Sequence, residues 1–163
     1  MMQRPLHVVV GFFCGILLIT PQMFKTFHLF LPPKVNATNE RIYPAIQEHG
    51  GVFSLPNASY QPLSGSKLLV DLTNNDDPNK LNSSLDKVAR YLNIYAGAGK
   101  EPVKVEIAVV FHGDATLNIL NNKAYRLKYS TEKNPNISLL KKLHAHGVKL
   151  IVCGQSLRTC GQN

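Results

Sequence analysis

A cysteine at the end of a short apolar run is the residue in this chain best placed to do chemistry. Val148-Lys-Leu-Ile-Val152 has the composition of a strand, and it delivers Cys153 onto a Gly154-Gln155-Ser156 turn. A thiol at such a junction is held by the strand and reachable from the loop. A nucleophilic or sulfur-carrying cysteine needs both, because the reacting thiolate must be positioned and accessible. The competing reading is a small core hydrophobe, since free cysteine is among the most buried residue types. A second thiol, Cys160, follows seven residues later. In an oxidising compartment the two could form a disulfide, although so short a loop stabilises modestly. A reversible redox pair, with Cys160 as the resolving thiol, is the other use of that spacing.

The elements that must hold Cys153 follow from periodicity. Lys67-Leu-Leu-Val-Asp-Leu-Thr73 is a β-type run ending in Asn74-Asn-Asp-Asp-Pro78, which is dense in turn formers. A helix is predicted from Asn82 to Ala96, with Leu85, Val88, Ala89, Leu92 and Tyr95 on one face and Gly97 and Gly99 as stop signals. Val103 to Phe111 begins as an alternation and becomes continuously apolar, as a strand buried on both faces does. His112-Gly113-Asp114 follows, then a predicted helix from Ala115 to about Asn121 with Leu117 and Leu120 inward. Residues 122–133 are expected to form a polar, basic connector around Tyr125 and Tyr129. Asn134 or Asn136 caps a helix from Ile137 to His146, with Pro135 near its start and Gly147 at its end.

The order β-α-β-α-α-β predicts an α/β fold with a parallel sheet and helices on both of its faces. Sites in such sheets gather beyond the carboxyl ends of the strands. Thr73-Asn-Asn-Asp76, His112-Gly-Asp114 and Cys153-Gly-Gln-Ser156 all fall there, so three strand ends converge on one rim.

The chain of 163 residues suits one domain. Residues 1–37 contain no acidic side chain, begin Met-Met-Gln-Arg and run into an apolar stretch from Leu6 to Ile19, as a secretory signal does. Cleavage after Ala37 fits the small residues before it. An uncleaved membrane anchor is the alternative, although the run to Thr20 is shorter than the roughly 20 residues of a spanning helix. The expected location is the periplasm or the exterior, or else anchored in the membrane and facing the periplasm. Residues 38–66 hold Pro44, Pro56, Pro62 and Gly50-Gly51, and are expected to be an extended or loosely packed leader.

The net charge is +8, but the basic residues are scattered and not interleaved with stacking aromatics, which argues against nucleic-acid binding. His144 and His146 are two apart on a helix and face different ways, so no metal is expected. Asn74-Asn-Asp-Asp77 is acidic where a phosphate cradle would stand, so no nucleotide or flavin cofactor is expected either. Asn36, Asn57, Asn82 and Asn136 each begin an Asn-X-Ser/Thr triplet.

The stretch from Lys67 to Gln162 resembles the DsrE/DsrF-like family, whose members include sulfur-relay proteins. The features that carry this are His112-Gly-Asp114, Asn134-Pro-Asn136 and, most specifically, His146-Gly-Val-Lys-Leu-Ile-Val-Cys-Gly-Gln-Ser-Leu157. The Cys-Gly-Gln-Ser-Leu run points toward the exported branch. The resemblance implies a flavodoxin-like fold and homo-oligomers, commonly trimers or hexamers. It also implies a cysteine, here Cys153, that accepts sulfur as a persulfide, with a glycine eight residues on that would be Gly161. Where relay members often carry an arginine before that glycine, this chain has Cys160, with Arg158 two residues earlier. Family domains continue past this point through a further helix and usually a strand, so one sheet face is expected to be exposed.

The function expected first is sulfur transfer. Cys153 takes sulfane sulfur from a persulfide or polysulfide donor and passes it to an acceptor thiol. His112, Arg158 and Lys149 are the cations expected to lower its pKa, and His112, Gly113, Asp114, Gly154, Gln155, Ser156 and Arg158 are expected to support it. A non-catalytic oligomeric binding or assembly module with the same fold is the alternative. A Cys153–Cys160 thiol switch is the third.

Overall fold

The computed structural model describes residues 40–98 and 103–160, with the side chain of Cys160 excepted. The expected signal peptide or anchor over residues 1–37, and Gly161, lie outside the described residues. Among the described residues no helix is long and apolar enough to cross a membrane.

Three parallel strands, β1 (Ser66–Leu72), β2 (Val105–Phe111) and β3 (Lys149–Val152), lie side by side in the order β1-β2-β3. Helix α1 (Ser83–Ala96) joins the first two. A 3-10 helix (Gly113–Ile119), α2 (Asn122–Tyr129) and α3 (Ile137–Ala145) join the second pair, and α4 (Gly154–Cys160) follows β3. The flavodoxin-like α/β reading therefore holds.

Strand alternation sorts the sheet into two unlike faces. Leu72, Ile107, Val109 and Phe111 point to one side, where they pack with Leu85, Val88, Ala89 and Leu92 of α1 and Leu139, Leu140 and Leu143 of α3 in one core. On the other side, Leu69 pairs with Ala108 and Lys149, and Asp71 with Val110 and Ile151. There Leu69 is 74% and Ile151 46% exposed. This differs from the expectation of helices on both faces and of a β2 buried on both, for the second face of β2, Ala108 and Val110, is only half-buried. Topology supplies the reason. Two right-handed crossovers stepping the same way across a sheet lay both helices on the same side.

Two helices depart from their expected form. Residues 122–129 are α2 and not a connector; Asn121 caps it by accepting the Ala124 N–H at 2.9 Å, and Tyr125 alone is buried. After β2 the helix is of the 3-10 type, and it buries Ala115, Thr116 and Asn118, while Leu117 and Leu120 are only half-buried.

Buried asparagines tie the layers together behind the strand ends. Asn82 caps α1 through the N–H groups of Ser84 and Leu85, and its own N–H donates to Asn136 Oδ1 at 2.8 Å. Asn136 Nδ2 donates to Oδ1 of Asn118 and of Asn134, and Asn134 Nδ2 to the carbonyls of Asn118 and Leu120. A buried amide satisfied at both ends fixes its neighbours, because an unmatched geometry would leave polar groups unpaired. Asn82 and Asn136 are each 1% exposed, which closes both triplets to a glycan in the folded protein; Asn57 lies exposed in a turn.

The leader from residue 40 is more firmly held than expected. Ile42 and Val52 form an antiparallel bridge, and Ile46, 1% exposed, joins the core. Gly50 sits at φ +61° with the backbone of α1 directly against it; a Cβ there would fall 2.1 Å from Arg90 N. Gly50→Ala is therefore expected to destabilise the fold by on the order of 2 kcal/mol, seen as a lower urea midpoint with unchanged slope.

Candidate functional site

The strand register brings the site together. Leu72 pairs with Phe111 and Phe111 with Val152, so the three strands end level. The ladder continues one step, with the His112 N–H donating to the Leu72 carbonyl at 2.7 Å and the Cys153 N–H to the Phe111 carbonyl at 3.0 Å. His112 is still extended, with φ −114° and ψ 158°. Alternation therefore carries His112 and Cys153 to the same side as Asp71, at one end of the second sheet face.

Cys153 is half-buried and its backbone opens α4, with the Leu157 N–H donating to the Cys153 carbonyl at 3.1 Å. The expected Gly154-Gln155-Ser156 turn is in fact the first turn of this helix. Its geometry presents amide donors to the sulfur. The N–H of Ser156, the Ser156 hydroxyl and the N–H of Gln155, in that order, lower the thiol pKa to about 7, and the charge of His112 adds to them. Hydrogen bonds to the thiolate stabilise the charged form, which is the reason for the shift. Ser156 is itself fixed from behind, because its Oγ accepts the Gly113 N–H at 2.9 Å. Gly113 has φ +49°, a left-handed conformation that glycine adopts without strain.

His112 hydrogen-bonds through Nδ1 to Asp71 Oδ1. That bond holds the imidazole pKa above its ordinary value, followed by the charge of Asp71 and then by the charge of Cys153 and a hydrogen bond to its side chain. Asp71, His112 and Cys153 thus form a carboxylate–imidazole–thiol chain across three neighbouring strands. Such a chain can take a proton from the thiol and hold the resulting ion pair.

Of the residues expected to support Cys153, the structure brings His112, Gly113, Gln155 and Ser156 to bear on it, with Gly154 as the residue that starts α4. Asp114 is exposed in the first turn of the 3-10 helix. Arg158 lies exposed in the last turn of α4, and Lys149 stands at the opposite end of β3 from Cys153. Of the three expected cations only His112 acts on the sulfur. Seven residues of helical rise, about 10 Å, separate Cys153 from Cys160 along α4, beyond the Cα separation a disulfide spans, so the switch between them needs this helix to unwind. No cluster of three or more His, Cys, Asp or Glu side chains that could hold a metal occurs among the described residues.

Asp71 is the member the sequence reading missed. Its signal was an acidic residue inside an apolar β-type run, one position before the end, where strands are depleted in aspartate.

The fold and site define an α/β protein with a parallel, flavodoxin-like sheet and a thiol of lowered pKa at a strand end. The family model described as DsrE/DsrF-like matches residues 67–163, and the chain belongs to that family. No curated protein and no solved structure gives a match.

Proposed function

We propose that this protein is an exported sulfur carrier that holds sulfane sulfur as a persulfide on Cys153. The observation that carries the reading is the environment of the thiol: amide and hydroxyl donors from Gln155 and Ser156 and the imidazole of His112 bring its pKa to about 7. A thiol with that pKa is about half thiolate at neutral pH and keeps most of its nucleophilicity, which is near the optimum for attack on sulfur. In the transfer, Cys153 Sγ attacks the outer sulfur of a donor persulfide R–S–SH. A bond forms between Cys153 Sγ and that sulfur, the R–S bond breaks, and R–SH leaves. The donor and the final acceptor are proposed to be proteins bearing thiols. Export rests on the basic and apolar start of the chain, with an anchored form facing the same compartment as the alternative.

Exposed Leu69 and Ile151 on the second sheet face support a homo-oligomer, for which the family resemblance implies a trimer or hexamer, and also favour the second reading, a non-catalytic assembly module. Intact and peptide mass spectrometry after exposure to polysulfide separates the two. The sulfur carrier gains the mass of one sulfur atom on Cys153, loses it to an added thiol acceptor, and gains nothing at that position as Cys153→Ser. Folded protein that takes no sulfur on Cys153 would sink the carrier and leave the module.

A further inference from the structure

We propose that Asp71 is a positioning residue that acts through His112, and that His112 so held is the proton acceptor for the Cys153 thiol. This rests on the sulfur-carrier reading for its substrate, but the proton step belongs to the site itself.

The three side chains come from residues whose backbones are locked. Asp71 lies within β1, paired with Val110 of β2, and the N–H groups of His112 and Cys153 each donate to the end of the neighbouring strand. An exposed carboxylate–imidazole pair would ordinarily contribute little, and both side chains are substantially exposed, 55% for Asp71 and 42% for His112. What sets this pair apart is its third member. A neutral imidazole has one donor and one acceptor nitrogen, and which is which follows from the partner of either. Asp71 accepts from Nδ1–H, so the acceptor lone pair is at Nε2, the nitrogen left to serve the sulfur.

The step balances as follows. The Cys153 S–H bond breaks as the Nε2–H bond forms, giving thiolate and imidazolium, and the Asp71 carboxylate steadies the new cation. The thiolate attacks the outer sulfur of a donor R–S–SH. As the R–S bond breaks, Nε2 returns its proton to the departing thiolate, giving R–SH and neutral His112. No oxidant or reductant is consumed. The titratable groups acting on the imidazole are Asp71 from β1 and Cys153 from the end of β3. Ser156 from α4 is neutral, and Asp114 lies exposed in the first turn of the 3-10 helix.

The test uses the wild type, Asp71→Asn, Asp71→Glu, His112→Gln and the Asp71→Asn/His112→Gln double variant, each checked for folding by circular dichroism. Two readouts are taken: iodoacetamide alkylation of Cys153 against pH, and the rate of sulfur uptake from a small alkyl persulfide. Asp71→Asn is expected to slow uptake at neutral pH about tenfold or more and to move the alkylation midpoint to higher pH. Asp71→Glu restores part of both, and adding Asp71→Asn to His112→Gln changes neither further. An unchanged profile and rate in Asp71→Asn, or an equal loss from it in the His112→Gln background, would overturn the role of Asp71. A wild type that takes no sulfur, yet shows the Asp71-dependent alkylation midpoint, would overturn the carrier reading and leave the positioning role in place.

Discussion

Alkylation of Cys153 is expected to reach half its plateau rate near pH 7, well below the ordinary thiol range of about 8.5. Ser156→Ala should move that midpoint up by roughly one pH unit. The reason is local. Ser156 supplies both a backbone and a side-chain hydrogen bond to the sulfur, and alanine keeps the first and removes the second. It also takes away the acceptor of the Gly113 N–H, loosening the tie between the ends of β2 and β3. The rate at neutral pH should fall less than the thiolate population does, because a thiol of higher pKa is intrinsically more nucleophilic. A midpoint that stays near pH 7 in Ser156→Ala would place the shift with the amides and His112 alone. The lowered thiol pKa also links folding to pH. The unfolded chain binds more protons at this site between about pH 7 and the ordinary thiol range, so the contribution to stability is complete above that range and lost as pH falls through about 7.

Asn93→Ala is expected to be among the most destabilising single changes outside the apolar core, costing on the order of 3 kcal/mol or more. Asn93 is fully buried on α1, and its side chain binds the leader at five points. Oδ1 accepts the N–H groups of Ala45 and Ile46 at 2.9 and 2.8 Å. Nδ2 donates to the carbonyls of Ile46, His49 and Gly50. Alanine would strand these backbone groups without partners. Asn93→Asp should also fail, because it keeps an acceptor for the two N–H groups but turns an oxygen toward three carbonyls. Urea denaturation measures the loss, and limited proteolysis locates it. Cleavage between residues 40 and 52 should appear first. Wild-type resistance there in Asn93→Ala would show that Ile46 holds the leader by burial alone.

The parts legible in the sequence are those where one side chain in two or three faces a core. Leu85, Val88, Ala89 and Leu92 announced α1, and the strand runs announced the parallel sheet and the rim where His112 and Cys153 stand. Where few residues are buried the periodic signal vanishes. Helix α2 buries Tyr125 alone, and in α4 every described residue but Ser156 is exposed, so the first resembled a connector and the second a turn. Asparagine misleads for a different reason. Asn93, Asn118, Asn134 and Asn136 are turn formers by type but brace the interior by their amides, and that role depends on partners up to 54 positions away. Asp71 was hidden likewise, because its partner His112 is 41 positions distant and is reached only through strand pairing.

The seven-residue α4 has a consequence of its own. It rests chiefly on the 3-10 helix and shows most of its residues to solvent, so it sits at the low end of the stability scale within the molecule. Each time it frays, the Gln155 and Ser156 donors leave the sulfur, and of the groups that lower the thiol pKa only His112 stays in place. The full lowering of the thiol pKa therefore depends on a local equilibrium that is separate from the unfolding of the core. Warming is expected to weaken this lowering before the sheet melts, and a contact that clamps α4 against the 3-10 helix is expected to strengthen it without touching the sulfur.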